Sequence, residues 1–286
     1  MTPCLFASDL HGKVDRYDKL FREVQHSRPA AVFLGGDLLP GLSALAGSFG
    51  SDAEFVESFL GESLELLRRC LGKDYPQWFV VLGNDDGKAP EASVLSVAGR
   101  GLWSYAHGRR LPLGQYSVYG YAFVPPTPFQ LKDWERYDVS RFVDPGCVPP
   151  EEGWSSESVS REELRYATIQ QDLEDLTGEA DLARAVFLFH TPPYRTHLDR
   201  ADLDGKRIDW VPLDVHVGSI AVRRFLEKRQ PLVSLHGHVH ESARLNGSWR
   251  DRLGRTHCFS AAHDGPELAL VRFDLERPER ADRRLP

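Results

Sequence analysis

The sequence predicts an α/β fold whose first sheet is built on parallel strands, and two patterns support that prediction. Short apolar runs alternate with amphipathic stretches through the first third of the chain. Two strand–helix units in succession imply parallel strands joined by right-handed crossovers. Residues 115–123 then alternate in the pattern of a strand, so we predict that a second, partly antiparallel sheet begins there. A chain of 286 residues can bury a large core between such sheets.

Each element of the first third follows from apolar spacing and from the residues that interrupt it. A short apolar run indicates a buried strand, whereas apolar residues three or four apart indicate a helix. Arg28-Pro29 ends the first helical pattern, and Gly83 follows the third apolar run. The predicted elements are strands at 4–7, 31–34 and 79–82, helices at 14–24 and 55–71, and a small-residue loop from Gly41 to Gly50.

Residues 125–160 have the composition of a loop, because prolines cluster at both ends and little periodicity lies between them. The segment nevertheless contains Phe129, Trp134, Phe142 and Trp154. Disordered segments are poor in aromatic residues, so this content argues against disorder. We therefore predict a packed insertion that covers one edge of the site and walls the substrate pocket.

The rest of the chain returns to regular patterns, and we expect residues 1–275 to form one domain. The last residues, 276–286, are charged, so we expect a solvated tail there. The predicted elements between are helices at 164–176 and 217–228, an irregular stretch at 191–216, and strands at 186–189, 232–235, 256–261 and 268–275.

Composition and charge narrow the class of protein. Hydrophobic residues make up 41% of the chain and charged residues 27%, as in ordinary globular proteins. Lys plus Arg number 35 against 42 Asp plus Glu, and the net charge of −7 disfavours a large nucleic-acid surface, because such surfaces are basic. The sequence predicts no signal peptide and no membrane span. The four cysteines form no close pair, which favours reduced thiols and a cytoplasmic protein.

Metal-type ligands stand where predicted strands end. Ligands in open α/β sheets bind at the carboxyl ends of the strands, so polar residues at these points indicate a site. The residues are Asp9 and His11 after the first strand, Asp37 after the second, Asn84 after the third, and His190, His238 and His240 after strands of the second half. Four imidazoles, two carboxylates and one amide are enough for two cations that share a bridging carboxylate.

The spacing of these residues suits metal binding. Side chains two residues apart in a strand face the same way, so Asp9 with His11 can aim at one point if extended geometry continues past the strand end. The same argument applies to His238 and His240. The two oxygens of Asp37 allow it to bridge two ions. Any one of these segments occurs by chance, but all of them in this order point to a metal site.

The order Asp-x-His, Gly-Asp, Gly-Asn, a single His and Gly-His-x-His resembles the signature of the calcineurin-like metallophosphoesterases. The resemblance extends from about Phe6 to His240. The segments 189–193 and 236–242 are most similar to a prokaryotic branch of Icc-like phosphoesterases. The resemblance implies a four-layer α/β/β/α sandwich of two mixed β-sheets flanked by helices. It also implies a small phosphorylated substrate and attack by a hydroxide that bridges two metal ions.

The resemblance further implies how the ligands are divided between the ions. One ion would be held by Asp9, His11, Asp37 and His240, and the other by Asp37, Asn84, His190 and His238. Oxygen and imidazole donors without thiolate suit Mn²⁺, Fe, Ni²⁺ or Zn²⁺.

One position departs from the family pattern. Most members have a phosphate-contacting His after the Gly-Asn pair, whereas this chain has Asp85. A carboxylate repels a phosphate dianion unless it is protonated or bound to metal, so Asp85 cannot simply take over the role. His216 is a candidate substitute, although a His near a helix start also commonly contacts backbone. The predicted catalytic residues are Asp37, Asn84, Asp85 and His216.

Two functions of other classes remain open on the sequence. The chain could be an inactive interaction module that keeps the fold and the metals, which the change at Asp85 makes conceivable. It could instead be a nuclease, which the negative net charge disfavours.

Overall fold

A computed structural model describes residues 1–41 and 49–286, so most of the predicted loop from Gly41 to Gly50 lies outside the described residues. The strands are β1 (Pro3–Ala7), β2 (Ala31–Gly35), β3 (Gln77–Val81), β4 (Ser104–Tyr105), β5 (Arg109–Leu113), β6 (Tyr116–Tyr121), β7 (Ala185–Phe189), β8 (Arg207–Ile208), β9 (Val211–Pro212), β10 (Val233–His236), β11 (Arg250–Leu253), β12 (Thr256–Ser260), β13 (Leu270–Asp274) and β14 (Asp282–Arg284).

Helices cover the sheets. They are α1 (Val14–Ser27), α2 (Asp52–Glu54), α3 (Glu62–Leu71), α4 (Glu91–Gly99), α5 (Arg161–Tyr166), α6 (Ile169–Thr177), α7 (Ile220–Arg229) and α8 (Ser242–Asn246), with a π-helical segment, Phe55–Gly61, between α2 and α3. The first helix shows why they dock: α1 buries Tyr17, Leu20 and Val24, which stand at helical spacing on one face. Within residues 1–41 and 49–286, no helix is both long and apolar enough to span a membrane.

Two six-stranded mixed sheets pack against each other. Their orders are β14-β13-β1-β2-β3-β4 and β11-β12-β10-β7-β6-β5, and β8 and β9 form a separate hairpin. In the first sheet β1 to β4 are parallel and β13 runs against β1. In the second sheet β6, β7, β10 and β12 are parallel, with β5 and β11 antiparallel at the edges. Strand β2 contacts β7, and β3 contacts β6 and β7. The predicted fold of two mixed sheets flanked by helices is confirmed.

The carboxyl ends of the parallel strands of both sheets meet at one edge of this sandwich. His190, which follows β7, places its Nδ1 2.8 Å from the carbonyl oxygen of Gly35 at the end of β2. The backbone N–H of His238, beyond β10, donates to Asp9 beyond β1 at 3.0 Å. Polar residues that follow these strands are therefore brought together although they are far apart in sequence.

Two predicted elements need correction. The helix predicted at 164–176 is two helices, because Ala167 and Thr168 adopt extended backbone and the Thr168 hydroxyl caps the start of α6. The tail predicted to be solvated contains β14, which pairs antiparallel with β13. The guanidinium of Arg283 in this strand donates to the carbonyl of Ala262 at 2.6 Å. Hydrophobic periodicity did not reveal this strand, because it is an edge strand made of charged residues, as edge strands commonly are.

The segment between β6 and α5, all of it described, forms isolated bridges but no helix or longer strand. A fully buried ion pair holds it, with the Lys132 ammonium 2.5 Å from the Glu135 carboxylate. The same ammonium donates to the carbonyl of Thr127 at 3.0 Å. Asp138 then accepts from the backbone N–H of Ile220 at 2.7 Å, which ties the insertion to the start of α7. The insertion is packed by polar contacts that hydrophobic periodicity does not reveal.

Candidate metal centre

The first group of predicted ligands combines residues from both sheets. Asp9, His11 and Asp37 follow β1 and β2, and His240 follows β10. One ligand atom from each lies within 4.8 Å of those of the other three. The Nε2 of His240 lies 3.2 Å from the Nε2 of His11 and 3.1 Å from an oxygen of Asp9. Two imidazole nitrogens and carboxylate oxygens that converge in this way are a donor set that fits a divalent transition metal.

The second group shares Asp37 with the first. Ligand atoms of Asp37, His190 and His238 also lie within 4.8 Å of one another. The Nε2 of His190 is 3.2 Å from the Asp37 carboxylate and 3.1 Å from the side-chain oxygen of Asn84. The other ring nitrogen of His190 contacts the Gly35 carbonyl, which fixes the ring so that Nε2 faces the group. This support of an imidazole through its far nitrogen is typical of metal ligands.

The backbone at the ligands differs from the expected one. The predicted convergence of Asp9 with His11 and of His238 with His240 required extended backbone past the strand ends. That condition is not met, because Asp9, His11 and His238 have φ angles of 56°, 46° and 74°, and Asp37 has a φ angle of 52°. Left-handed backbone at residues other than glycine costs about 1–3 kcal/mol each and persists only where surrounding contacts hold it. The N–H of Asp9 and of His11 donate to the carbonyls of Gly36 and Asp37, both at 2.9 Å. Side chains converge because the strand ends turn, not because the strands continue.

Two glycines let the ligand segments approach each other. A Cβ at Gly36, whose φ is +92°, would lie 2.5 Å from Nδ1 of His190. A Cβ at Gly83 would collide with the Asp37 carboxylate. Both positions therefore require glycine for close contact between β2, β3 and β7 at the site.

Asp86 holds two ligand segments together. Its buried carboxylate accepts from the N–H groups of Leu38 at 3.0 Å, Leu39 at 2.8 Å and Gly83 at 2.9 Å. Burial and the nearby charge of Asp37 raise the pKa of Asp86 to about 8.

Arg16 holds the backbone of Asp9 in place. The sequence did not identify this residue as part of the site. Its buried guanidinium donates to the carbonyl of Asp9 at 2.7 Å and to that of Gly265 at 2.5 Å. The only available signal was a charged residue directly before the apolar Tyr17 on the buried face of α1. Such a residue needs carbonyl partners, but the sequence does not say which ones.

The predicted metal ligands have strongly shifted pKa values. Burial opposes a charge on His190, but the carboxylates of Asp37 and Asp9 prevail and raise its pKa to about 10. Burial likewise opposes a charge on His240, but its hydrogen bond to Asp9 prevails and raises its pKa to about 9. Burial and the charge of His190 lower the pKa of His238 to about 3. In the metal-free protein at neutral pH, protons therefore sit on two nitrogens that a metal ion would need.

Metal binding is consequently expected to release about two protons near pH 7.5, because His190 and His240 must become neutral to bind. Affinity should rise with pH up to about 9 to 10, where the protons are lost without metal. Isothermal titration with Zn²⁺ or Mn²⁺ in two buffers of different ionisation enthalpy measures the released protons. His240→Ala should remove one of them. A binding heat that is the same in both buffers would contradict this coupling.

Asp85 lies at the rim of the first group. Its side chain is 48% exposed, with one oxygen 3.8 Å from Nδ1 of His11. The other oxygen accepts from the amide of Asn84 at 3.0 Å, and the Asp85 backbone N–H donates to Asp37 at 2.8 Å. Burial, with the charge of Asp37, raises the pKa of Asp85 to about 6. The residue that replaces the expected His is thus beside the ligands.

His216 pairs with a carboxylate rather than with backbone through its ring. Its Nδ1 lies 2.9 Å from an oxygen of Asp199, a fully buried residue that the sequence reasoning did not single out. The ring is 26% exposed and precedes α7.

Comparison with protein families matches residues 2–242 to a family described as calcineurin-like phosphoesterase. A search of curated proteins finds no match. Among solved structures, the chain is similar to TT1561 of Thermus thermophilus, with 18% identity, a TM-score of 0.57, and coverage of 99% of this chain and 98% of the other. It is also similar to a dimetal phosphatase from Danio rerio, with 14% identity, a TM-score of 0.50, and coverage of 94% and 91%. At these identities the structural likeness supports the fold alone.

Proposed function

Because the chain belongs to the calcineurin-like phosphoesterase family, we propose that it hydrolyses phosphate esters with the aid of two divalent cations. The observation that supports this best is the pair of ligand groups that share Asp37. The residues proposed to hold the ions are Asp9, His11, Asp37 and His240 for one, and Asp37, Asn84, His190 and His238 for the other.

Two such cations, when bound, would supply an activated hydroxide and neutralise charge on the phosphoryl oxygens. The chain itself contributes orientation. Arg16 and Asp86 fix the segments that carry Asp9 and Asp37, so the ligands are preorganised by buried hydrogen bonds. The donor set favours Mn²⁺, Fe, Ni²⁺ or Zn²⁺ over Ca²⁺ or Mg²⁺ alone, since imidazole suits the first four.

The catalytic residues that we propose are Asp37, Asn84, Asp85 and His216. Asp37 and Asn84 would contribute to catalysis by holding the ions. Asp85 borders the first group and would face the phosphate, where its raised pKa of about 6 lessens repulsion of an anionic substrate below that pH. Asp85→Asn should therefore be tolerated, because no essential charge is lost.

We also propose a small phosphorylated substrate, a cytoplasmic location and kinship with the Icc-like branch. Residues 1–275 would form one catalytic domain. The net charge of −7 supports a small substrate over nucleic acid, because a nucleic-acid surface needs clustered positive charge.

The test is hydrolysis by metal-reconstituted protein of a panel of phosphomonoesters and phosphodiesters, with activated nitrophenyl esters included. We expect turnover that appears with Mn²⁺, Fe²⁺, Ni²⁺ or Zn²⁺ and disappears with a chelator. Metal uptake without turnover on any ester would favour the alternative, an inactive interaction module. Salt-dependent binding to single-stranded or double-stranded nucleic acid, together with its cleavage, would favour a nuclease.

A further inference from the structure

Asp199 is a buried carboxylate with every oxygen engaged. It is fully buried and accepts from the backbone N–H groups of Arg195 at 2.8 Å, Thr196 at 2.9 Å and Gly218 at 3.2 Å. Its fourth contact is Nδ1 of His216 at 2.9 Å. Three backbone donors fix the position of the carboxylate, so the imidazole beside it is held in one orientation.

This contact determines which nitrogen of His216 is free. A carboxylate accepts and cannot donate, so Nδ1 of His216 carries the proton that it shares with Asp199. No hydrogen bond engages Nε2 of His216 within the described residues. Because the ring is 26% exposed, Nε2 can exchange a proton with solvent or with a bound molecule.

Hydrogen bonds attach the Asp199–His216 pair to the two chain segments that follow His190 and His240. The N–H of Ser219, just after Gly218, donates to the carbonyl of Pro192 at 2.8 Å, two residues beyond His190. The N–H of Arg200, next to Asp199, donates to the hydroxyl of Ser242 at 3.1 Å, two residues beyond His240. The pair is thus anchored to the ends of β7 and β10, at the same edge of the sandwich as the metal ligands.

Resting on the proposed hydrolysis, we infer that His216 protonates the leaving oxygen of the substrate and that Asp199 is its positioning residue. As the attacking hydroxide forms its bond to phosphorus, the bond from phosphorus to the leaving oxygen breaks and the electron pair stays on that oxygen. The leaving oxygen takes the Nε2 proton of the cationic imidazole. His216 becomes neutral, with Nδ1–H still bonded to Asp199, and regains a proton from water.

The first experiment compares His216→Ala with wild type on an alkyl phosphate ester and a nitrophenyl ester. General acid assistance contributes about 10²–10⁴-fold, and a good leaving group needs it least. We therefore expect kcat on the alkyl ester to fall by about that factor, kcat on the nitrophenyl ester to fall by less than about tenfold, and metal content to stay unchanged. Added imidazole should restore part of the alkyl ester activity.

His197 offers a matched control, because it lies in the same loop and pairs with Asp251 at 3.2 Å. Its side chain is 59% exposed, and His197→Ala should leave both activities unchanged. Equal falls on both esters in His216→Ala, or no fall on either, would overturn the inference while wild-type turnover still upheld the proposed function. Absence of wild-type turnover on any ester would overturn both.

The role of Asp199 is tested by combining variants. Asp199→Asn should lower alkyl ester turnover in wild type, but should lower it no further in His216→Ala and should abolish the imidazole rescue. An equal further fall in the double variant would show that Asp199 acts apart from His216. Because Asp199 also holds three backbone N–H groups, ¹⁵N NMR of the His216 ring in the wild-type protein provides a second measurement. The neutral ring should carry its proton on Nδ1, and a proton on Nε2 would overturn the positioning role.

Discussion

Asp37→Asn is expected to abolish binding of both metal ions and to lower kcat/KM by more than about 10³-fold, since metal-stabilised charge is worth several kcal/mol. One Asp37 oxygen accepts from the Asp85 N–H at 2.8 Å, and the other lies 3.2 Å from Nε2 of His190. In the variant, the amide oxygen must keep the first contact. The amide N–H₂ then faces His190 and occupies the place of a bridging oxygen.

Elemental analysis and metal titration of the purified variants measure this effect. Asn84→Ala should weaken one ion only, because Asn84 contacts the second group through His190. Asp85→Asn is the matched control, since it removes the same charge from the same edge and should retain both ions. Full double occupancy in Asp37→Asn would show that Asp37 does not bridge.

Trp134→Ala is expected to lower the free energy of unfolding by about 3–5 kcal/mol, the usual cost of removing a buried tryptophan. We predicted that Trp134 lines the substrate pocket, but only 1% of it is exposed. Its ring lies 5.0 Å from that of His107 and 5.5 Å from that of Phe123, and the Lys88 ammonium stands 5.0 Å from it. The side chain is part of the core that holds the insertion.

Urea unfolding measures this loss, and Trp210 provides the control. Trp210 is 81% exposed, so Trp210→Ala should change stability by no more than about 0.5 kcal/mol. Activity of folded Trp134→Ala should fall equally on every ester. A change of substrate preference with unchanged stability would instead support the original idea that Trp134 contacts substrate.

The strands and the cluster of Asp and His residues were predictable because both follow local patterns in the sequence. A buried strand is a run of apolar residues, and predicted ligands stand at or just past the end of one, as His190 and Asp37 do. The resemblance to the family then implied how these residues would be grouped around two ions. Strand β14 was hidden because its charged residues, Asp282 to Arg284, look like a solvated tail.

The support of the site could not be predicted, because it depends on partners far apart in the chain. Asp86 contacts residues 47 and 48 positions away, and Arg16 contacts the carbonyl of a residue 249 positions away. His216 was singled out, but its partner Asp199 sits in a stretch without periodicity. The left-handed backbone at Asp9 was equally unpredictable, since position 9 is not a glycine.

Each ligand group draws on both halves of the chain, and this division has a consequence for fragments. The first group takes three residues from positions 9–37 and one from position 240, and the second joins residue 37 to residues 190 and 238. Neither half of a chain cut within the insertion would contain a whole group. Metal capture would therefore report whether two separately produced halves have reassociated, and it would do so without any assay of catalysis.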